Sequence, residues 1–164
     1  VLIVKIMRKR INTMVVIMKF EKFLKGCGTH GQILERANGD KWLICGGVGM
    51  KVPNGVVNLL GSGGAGDKTK KILEAIVKAD TDDKVDLIRA TLPADGKASD
   101  IVRVFGDKLD IEVGIYNSDF GLLEKADVNL AEVEIEDDDK ETKYLLVLDS
   151  EDEVIGFIQG VKNI

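Results

Sequence analysis

An α+β domain that is mainly β is the fold class this sequence predicts, and three features predict it. In the C-terminal third the β-rich runs Val133 to Glu136, Tyr144 to Leu148 and Val154 to Ile158 are separated by short charged segments, 137–142 and 149–153. Strands joined this tightly pair antiparallel, as a meander. Near the N-terminus, Asn38-Gly39 separates the strand-like runs Gln32 to Ala37 and Lys41 to Cys45, which predicts an antiparallel hairpin with a type I′ turn, because both central residues of that turn need positive φ. Between them, Ile72, Leu73, Ala75, Ile76 and Ala79 recur at helical spacing, so the principal α-helix is expected at about 68–79.

A chain of 164 residues that is 45% hydrophobic can bury one core of ordinary size, and a single globular domain is expected over 18–164. Residues 1–17 have a different character. They contain Lys5, Arg8, Lys9 and Arg10 with no acid, and their apolar residues fall in broken clusters. A secretory signal places its basic residues ahead of one continuous apolar run, and a membrane span needs about 20 apolar residues; neither pattern is present. Met18-Lys19-Phe20-Glu21 reads as a natural beginning. The expectation is therefore that 1–17 is an upstream extension outside the functional protein, the alternative being a basic arm or first strand. Removing its four positive charges takes the net charge from −5 to −9.

The remaining elements follow in order. Phe20, Phe23 and Leu24 stand at helical spacing before Gly26, predicting a short helix that stops at the glycine. Pro53 makes Met50-Lys51-Val52-Pro53 an edge strand or a loop, since proline cannot donate to a ladder. A second Asn-Gly, Asn54-Gly55, follows, and the apolar segment Val56 to Leu60 suits either a strand or a helical turn. Val85 to Leu92 reads as a strand ended by Pro93, and Ala94-Asp95-Gly96-Lys97 as a turn. Ile101 to Phe105 favours a strand by its β-branched residues, although Ser99 or Asp100 would cap a helix. Leu109 to Tyr116 is β-like, and Asn117 to Gly121 is expected to be a loop.

One segment nearly spells a nucleotide motif. Gly61-Ser62-Gly63-Gly64-Ala65-Gly66-Asp67-Lys68-Thr69 approaches the P-loop pattern, in which lysine directly follows the last glycine so that it reaches the β and γ oxygens of a bound polyphosphate. Here Asp67 occupies the lysine position and Lys68 is displaced by one residue, about 100° around the helix. A carboxylate there repels phosphate, whereas as an N-cap it accepts the free backbone N–H groups of the helix. Asp67 is accordingly expected to cap the helix, and a phosphate loop of Gly61, Gly63, Gly64, Gly66, Lys68 and Thr69 is the alternative reading. Its partner aspartate for Mg²⁺ would be Asp149, but Leu145 to Asp149 sits in an antiparallel context.

Other constellations fall short of chemistry. His30, the only histidine, follows Cys27 by three residues, and Cys45 lies in the next hairpin. A zinc site would need a fourth ligand or an open water position, and a thiol–imidazole nucleophile would need an orienting third group. A turn histidine and two free thiols are expected, in a reducing compartment. On a strand, Glu132, Glu134 and Glu136 would share one face, which is costly unless solvated or cation-bound; no calcium-loop spacing accompanies them, so a solvated hairpin tip is expected. The acidic surface repels nucleic acid and anionic lipid, and with aromatics at 5% there is little to stack on bases. No catalytic residue, cofactor, metal, nucleic acid or membrane is therefore expected.

The runs Gly28-Thr29-His30-Gly31-Gln32-Ile33-Leu34-Glu35-Arg36 and Lys41-Trp42-Leu43-Ile44-Cys45-Gly46-Gly47-Val48-Gly49-Met50-Lys51-Val52-Pro53 resemble small uncharacterised proteins from the structural gene modules of tailed bacteriophages and prophages. Ile101-Val102-Arg103-Val104-Phe105 and Gly114-Ile115-Tyr116-Asn117 share in the resemblance, which spans 18–164. It implies a non-enzymatic virion or head-assembly role, in the host cytoplasm or the virion, with capsid subunits or further copies of the chain as partners, and it supplies no catalytic residues. The expected contact surface is Met50, Lys51, Val52 and Pro53, whose unpaired backbone groups would accept a partner strand.

Overall fold

The computed structural model describes residues 18–54, 66–92, 101–107, 111–123 and 129–162. The readings made above for 1–17, for Val56 to Leu60, for Gly61 to Ala65 and for Ala94 to Lys97 lie outside the described residues. The elements are α1 (Phe20–Cys27), β1 (Gln32–Glu35), β2 (Lys41–Cys45), β3 (Val48–Lys51), α2 (Asp67–Val77), β4 (Asp86–Thr91), β5 (Val102–Gly106), β6 (Glu112–Tyr116), α3 (Asn117–Phe120), β7 (Asn129–Asp137), β8 (Lys140–Leu148) and β9 (Val154–Gln159). A six-stranded sheet runs β1-β2-β3-β9-β8-β7, and a three-stranded sheet runs β4-β5-β6. Every pairing within them is antiparallel. The chain is thus mainly β with a C-terminal meander, as its sequence predicts.

The six-stranded sheet carries a core on each face because its strands alternate two apolar sets. In β8, Leu145 and Val147 join one cluster and Tyr144, Leu146 and Leu148 the other, as the two-residue period of a strand requires. The first cluster takes in Phe23 and Cys27 of α1 and Phe105, Val113 and Ile115 of the smaller sheet. The second takes in Leu73 and Ile76 of α2, which are 1% and 0% exposed; full burial of such a side chain contributes about 1.5–3 kcal/mol. The order is therefore helix α2, then the large sheet, then the small sheet with α1. Met18 belongs to the first core, at 5% exposure, and bridges to Leu123.

Several local expectations change. The hairpin between β1 and β2 forms, but its turn is not type I′. Glu35 pairs with Lys41, Gly39 N–H donates to Arg36 O at 2.9 Å, and of the turn residues only Gly39 has positive φ, at 91°. Because Arg36 N–H also donates to Asp40 O at 2.8 Å, the loop proper is the three residues 37–39, in which a left-handed glycine follows an ordinary turn. Type I′ geometry appears instead where both central residues have positive φ: at Gly46-Gly47 (58° and 83°) between the paired Cys45 and Val48, and at Asp138-Asp139 (47° and 61°) between the paired Asp137 and Lys140. Consequently β7 and β8 extend through most of the segment expected to be a turn.

Gly26 does not stop α1; the helix includes it and ends at Cys27, with Gly28 at φ 54° beyond. Asn117 to Phe120 is a helical turn rather than a loop. Asp67 does not cap α2: the N-cap is Gly66, in an extended conformation with no side-chain cap hydrogen bond. Asp67 lies one residue inside, where its negative charge still faces the positive end of the helix dipole. The carboxylates of β7 are not uniformly solvated, since Glu132 is 7% exposed while Glu134 and Glu136 face solvent.

Candidate functional site

The glycine-rich segment reaches the described structure only at its end. Gly66, Asp67 and Lys68 are exposed and Thr69 is half-buried at the start of α2. Lys68 is already engaged: its Nζ lies 3.3 Å from Asp137 and 3.9 Å from Asp138. The one-residue displacement that breaks the P-loop spacing thus turns the lysine toward the β7–β8 turn. Asp149 is engaged as well, its Oδ1 accepting from the backbone N–H groups of Glu151 and Glu153 at 2.8 and 3.0 Å. It orders the β8–β9 turn in the manner of an Asx turn.

Cys27, Cys45 and His30 do not converge as a triad. His30 is exposed, whereas Cys27 is buried and Cys45 half-buried. The two thiols are free, and burial first, with the neighbouring Cys45 thiol adding to it, pushes the Cys27 thiol up to about 12. Among the described residues no group of three or more His, Cys, Asp or Glu side chains is placed to hold a metal ion, and no helix is long and apolar enough to cross a membrane.

Besides a smaller cleft of about 240 Å³ lined by Lys68, Ile72 and the β7–β8 turn, two clefts border α2. One, of about 300 Å³, lies between the β1–β2 loop, the end of α2 and the β8–β9 turn, with Trp42, Arg36 and Lys51 among its lining. Its cations are already paired: Arg36 Nε donates to Glu74 Oε1 at 2.9 Å, and Lys51 lies 3.4 Å from Asp40. That network ties the first hairpin to α2. The hydrogen bond and charge of Arg36 hold the Glu74 carboxyl below the usual carboxylate range. The other cleft, of about 510 Å³, runs along the outer side of β7 and includes Glu132 and Lys143. Burial pushes the Glu132 carboxyl up against the opposing effect of Lys143.

Met50 to Pro53 does not offer the expected edge. β3 is paired on both sides, Met50 with Leu43 of β2 and with Gly156 of β9, and Val52 N–H donates to Lys41 O. Met50 and Val52 are 2% and 8% exposed. Pro53 falls after the strand, so its missing donor costs no ladder bond. Of the strands that end the two sheets among the described residues, β1, β4, β6 and β7, only β4 has no buried residue. Among the described residues it pairs only with β5. Leu87 and Ile88 are each 46% exposed, and Leu92 just beyond is 49% exposed.

Two features shape this edge. The β4–β5 register shifts between Leu87 and Arg89, a bulge that interrupts the flat template on which chains add indiscriminately. Arg89 meanwhile reaches across β5 to Glu112 in a two-pronged pair at 2.6 and 2.7 Å, keeping the guanidinium over the sheet. Sequence reasoning found the strand but missed its position. The available signal was Leu87-Ile88 side by side, which puts an apolar residue on both faces where a half-buried strand would alternate.

Comparison with protein-family models, with curated proteins and with solved structures finds no match to this chain.

Proposed function

We propose that this protein acts by protein–protein contact, as a non-enzymatic structural or assembly subunit, through the outer side of β4. The observation that carries this reading is that β4, paired among the described residues on one side only, has no buried residue and leaves Leu87 and Ile88 each 46% exposed. An extended partner segment would add to the small sheet through its backbone, and these two side chains would give the contact its apolar content. The bulge limits the match to a partner of compatible twist. On the resemblance of Gly28 to Pro53 to phage structural-module proteins, the finer proposal is a head or virion accessory protein whose partner is a capsid subunit or another copy of this chain.

The test is co-purification of the full chain with the proteins encoded beside its gene, repeated with the doubly substituted Leu87→Lys, Ile88→Lys chain. Both positions are exposed, so the variant should keep its thermal midpoint while binding falls at least tenfold. Undiminished binding by a folded variant would remove β4 from the contact. Titration with ATP, GTP and Mg²⁺ supplies the competing outcome: micromolar binding lost on Lys68→Ala would replace an assembly role with a nucleotide site.

A further inference from the structure

Two cysteines distant in sequence meet inside the first core. Cys27, the last residue of α1, is 3% exposed, and Cys45, the last residue of β2, packs against the cluster that contains it. Strand register explains the meeting. Gln32 pairs with Ile44, so Gly31 comes next, opposite Cys45, on the face that Leu43 and Cys45 share. A Cβ at Gly31 would stand 3.0 Å from Cys27 Cβ and 3.6 Å from its Sγ. Cys27 therefore fills the space that a larger residue at 31 would claim, and this lays one thiol against the other.

We propose that Cys27 and Cys45 form a reversible intramolecular disulfide, a redox-controlled clasp joining α1 to the end of β2. The oxidant is a low-molecular-weight disulfide, for which oxidised glutathione serves as the probe. Cys45, the more accessible sulfur, loses its proton and attacks one glutathione sulfur. The glutathione disulfide bond breaks, a mixed disulfide forms, and the first glutathione leaves and takes up the proton. The Cys27 sulfur then attacks the Cys45 sulfur, the second glutathione departs as a thiolate and takes the Cys27 proton. The protein gives up two hydrogens with their two electrons, and one oxidised glutathione becomes two reduced molecules. The order follows from access and acidity: with its thiol pushed up to about 12 by burial, Cys27 stays protonated and is a poor first nucleophile.

The clasp closes a loop of about 18 residues, which restricts the unfolded chain and should raise the thermal midpoint by roughly 6–12 °C. The experiment incubates the full chain in glutathione buffers of increasing oxidation, unfolds it with an alkylating agent present, and reads intact mass. The expected product is a monomer two hydrogens lighter, with neither cysteine alkylated and a raised midpoint that dithiothreitol reverses. Cys45→Ser should leave Cys27 alkylatable once unfolded and abolish the rise, and Cys27→Ser should stop Cys45 at the glutathione adduct. The wild-type mass measurement stands even where a variant fails to fold. Two alkylated thiols under fully oxidising buffer, a wild-type chain arrested at the adduct, or a disulfide between two chains would each overturn the proposal.

Discussion

Replacing Gly49 with alanine should destabilise the protein although the residue gains a better strand former. Gly49 lies in β3 opposite Phe157 of β9, and its missing side chain is what lets the Phe157 ring lie flat across the sheet. A Cβ there would stand 3.0 Å from the ring's Cδ1 and closer still to Cε1 and Cζ, against about 3.5–4.0 Å for a comfortable carbon contact. The ring has nowhere to retreat. Phe157 is 3% exposed, stacks on Trp42 at 6.0 Å and receives the edge of Tyr144 at 5.8 Å. Overpacking of this kind costs about 1–3 kcal/mol, while alanine recovers about 0.5–1 kcal/mol of the entropy that glycine loses in a strand. The net loss should be about 1–2 kcal/mol, a fall of roughly 2–8 °C in midpoint. Urea unfolding followed by the fluorescence of Trp42, the only tryptophan, measures it directly. Adding Phe157→Leu should make the double variant less unstable than the sum of the two single losses. Wild-type stability or better in Gly49→Ala would refute the packing argument.

Gly26 provides the opposite sign. It lies within α1, and an added Cβ meets nothing within 4 Å, so Gly26→Ala should stabilise by about 0.5 kcal/mol in the same urea assay. Gly47→Ala should cost about 1–2 kcal/mol, because its φ of 83° strains an L-residue and the Cβ would press on Gln159 Oε1 at 2.7 Å; an unchanged urea midpoint would contradict that. Glu132 predicts a pH dependence. Its carboxyl is raised first by burial, so the folded chain holds that proton more tightly than the unfolded one, and the associated stability is full below the unfolded pKa and lost as pH rises through the folded one. The stability of Glu132→Gln relative to wild type should therefore improve between pH 4 and pH 8; a difference that is flat or reversed in sign would count against the burial argument. Glu74 behaves oppositely. Its carboxyl is lowered first by the Arg36 hydrogen bond, so its contribution is present above the unfolded pKa and lost as pH falls through the folded one. Glu74→Gln should reduce acid sensitivity at a cost under about 1 kcal/mol at pH 7, since the Glu74 side chain is 40% exposed.

Much of the fold was legible because its signals are local. Ile72 to Ile76 had to be helical to put Leu73 and Ile76 on one face, and Tyr144 to Leu148 alternates between two cores as a strand buried on both sides must. The errors were also local in form but tertiary in cause. Asn38-Gly39 carries the letters of a type I′ turn, yet the register Glu35–Lys41 leaves a longer loop in which Asn38 need not take positive φ. Gly46-Gly47 makes the tight turn because Cys45 and Val48 pair across it. Asp67 had the chemistry of a cap, but the chain enters α2 one residue earlier, through Gly66.

The sequence by itself determined the C-terminal strands and the first hairpin, that the main helix is amphipathic, and that Lys68 is out of step with a phosphate loop. Each of these depends on side chains within a few residues of one another. Which strand sides are covered was decided only in three dimensions. β3 looked like a margin because of Pro53, but β9, about a hundred residues later, pairs with its free side, whereas among the described residues β4 pairs with β5 alone. Strand neighbours and the meeting of Cys27 with Cys45 are fixed by long-range burial on the two faces of one sheet, and a local pattern carries no record of what will lie across from it.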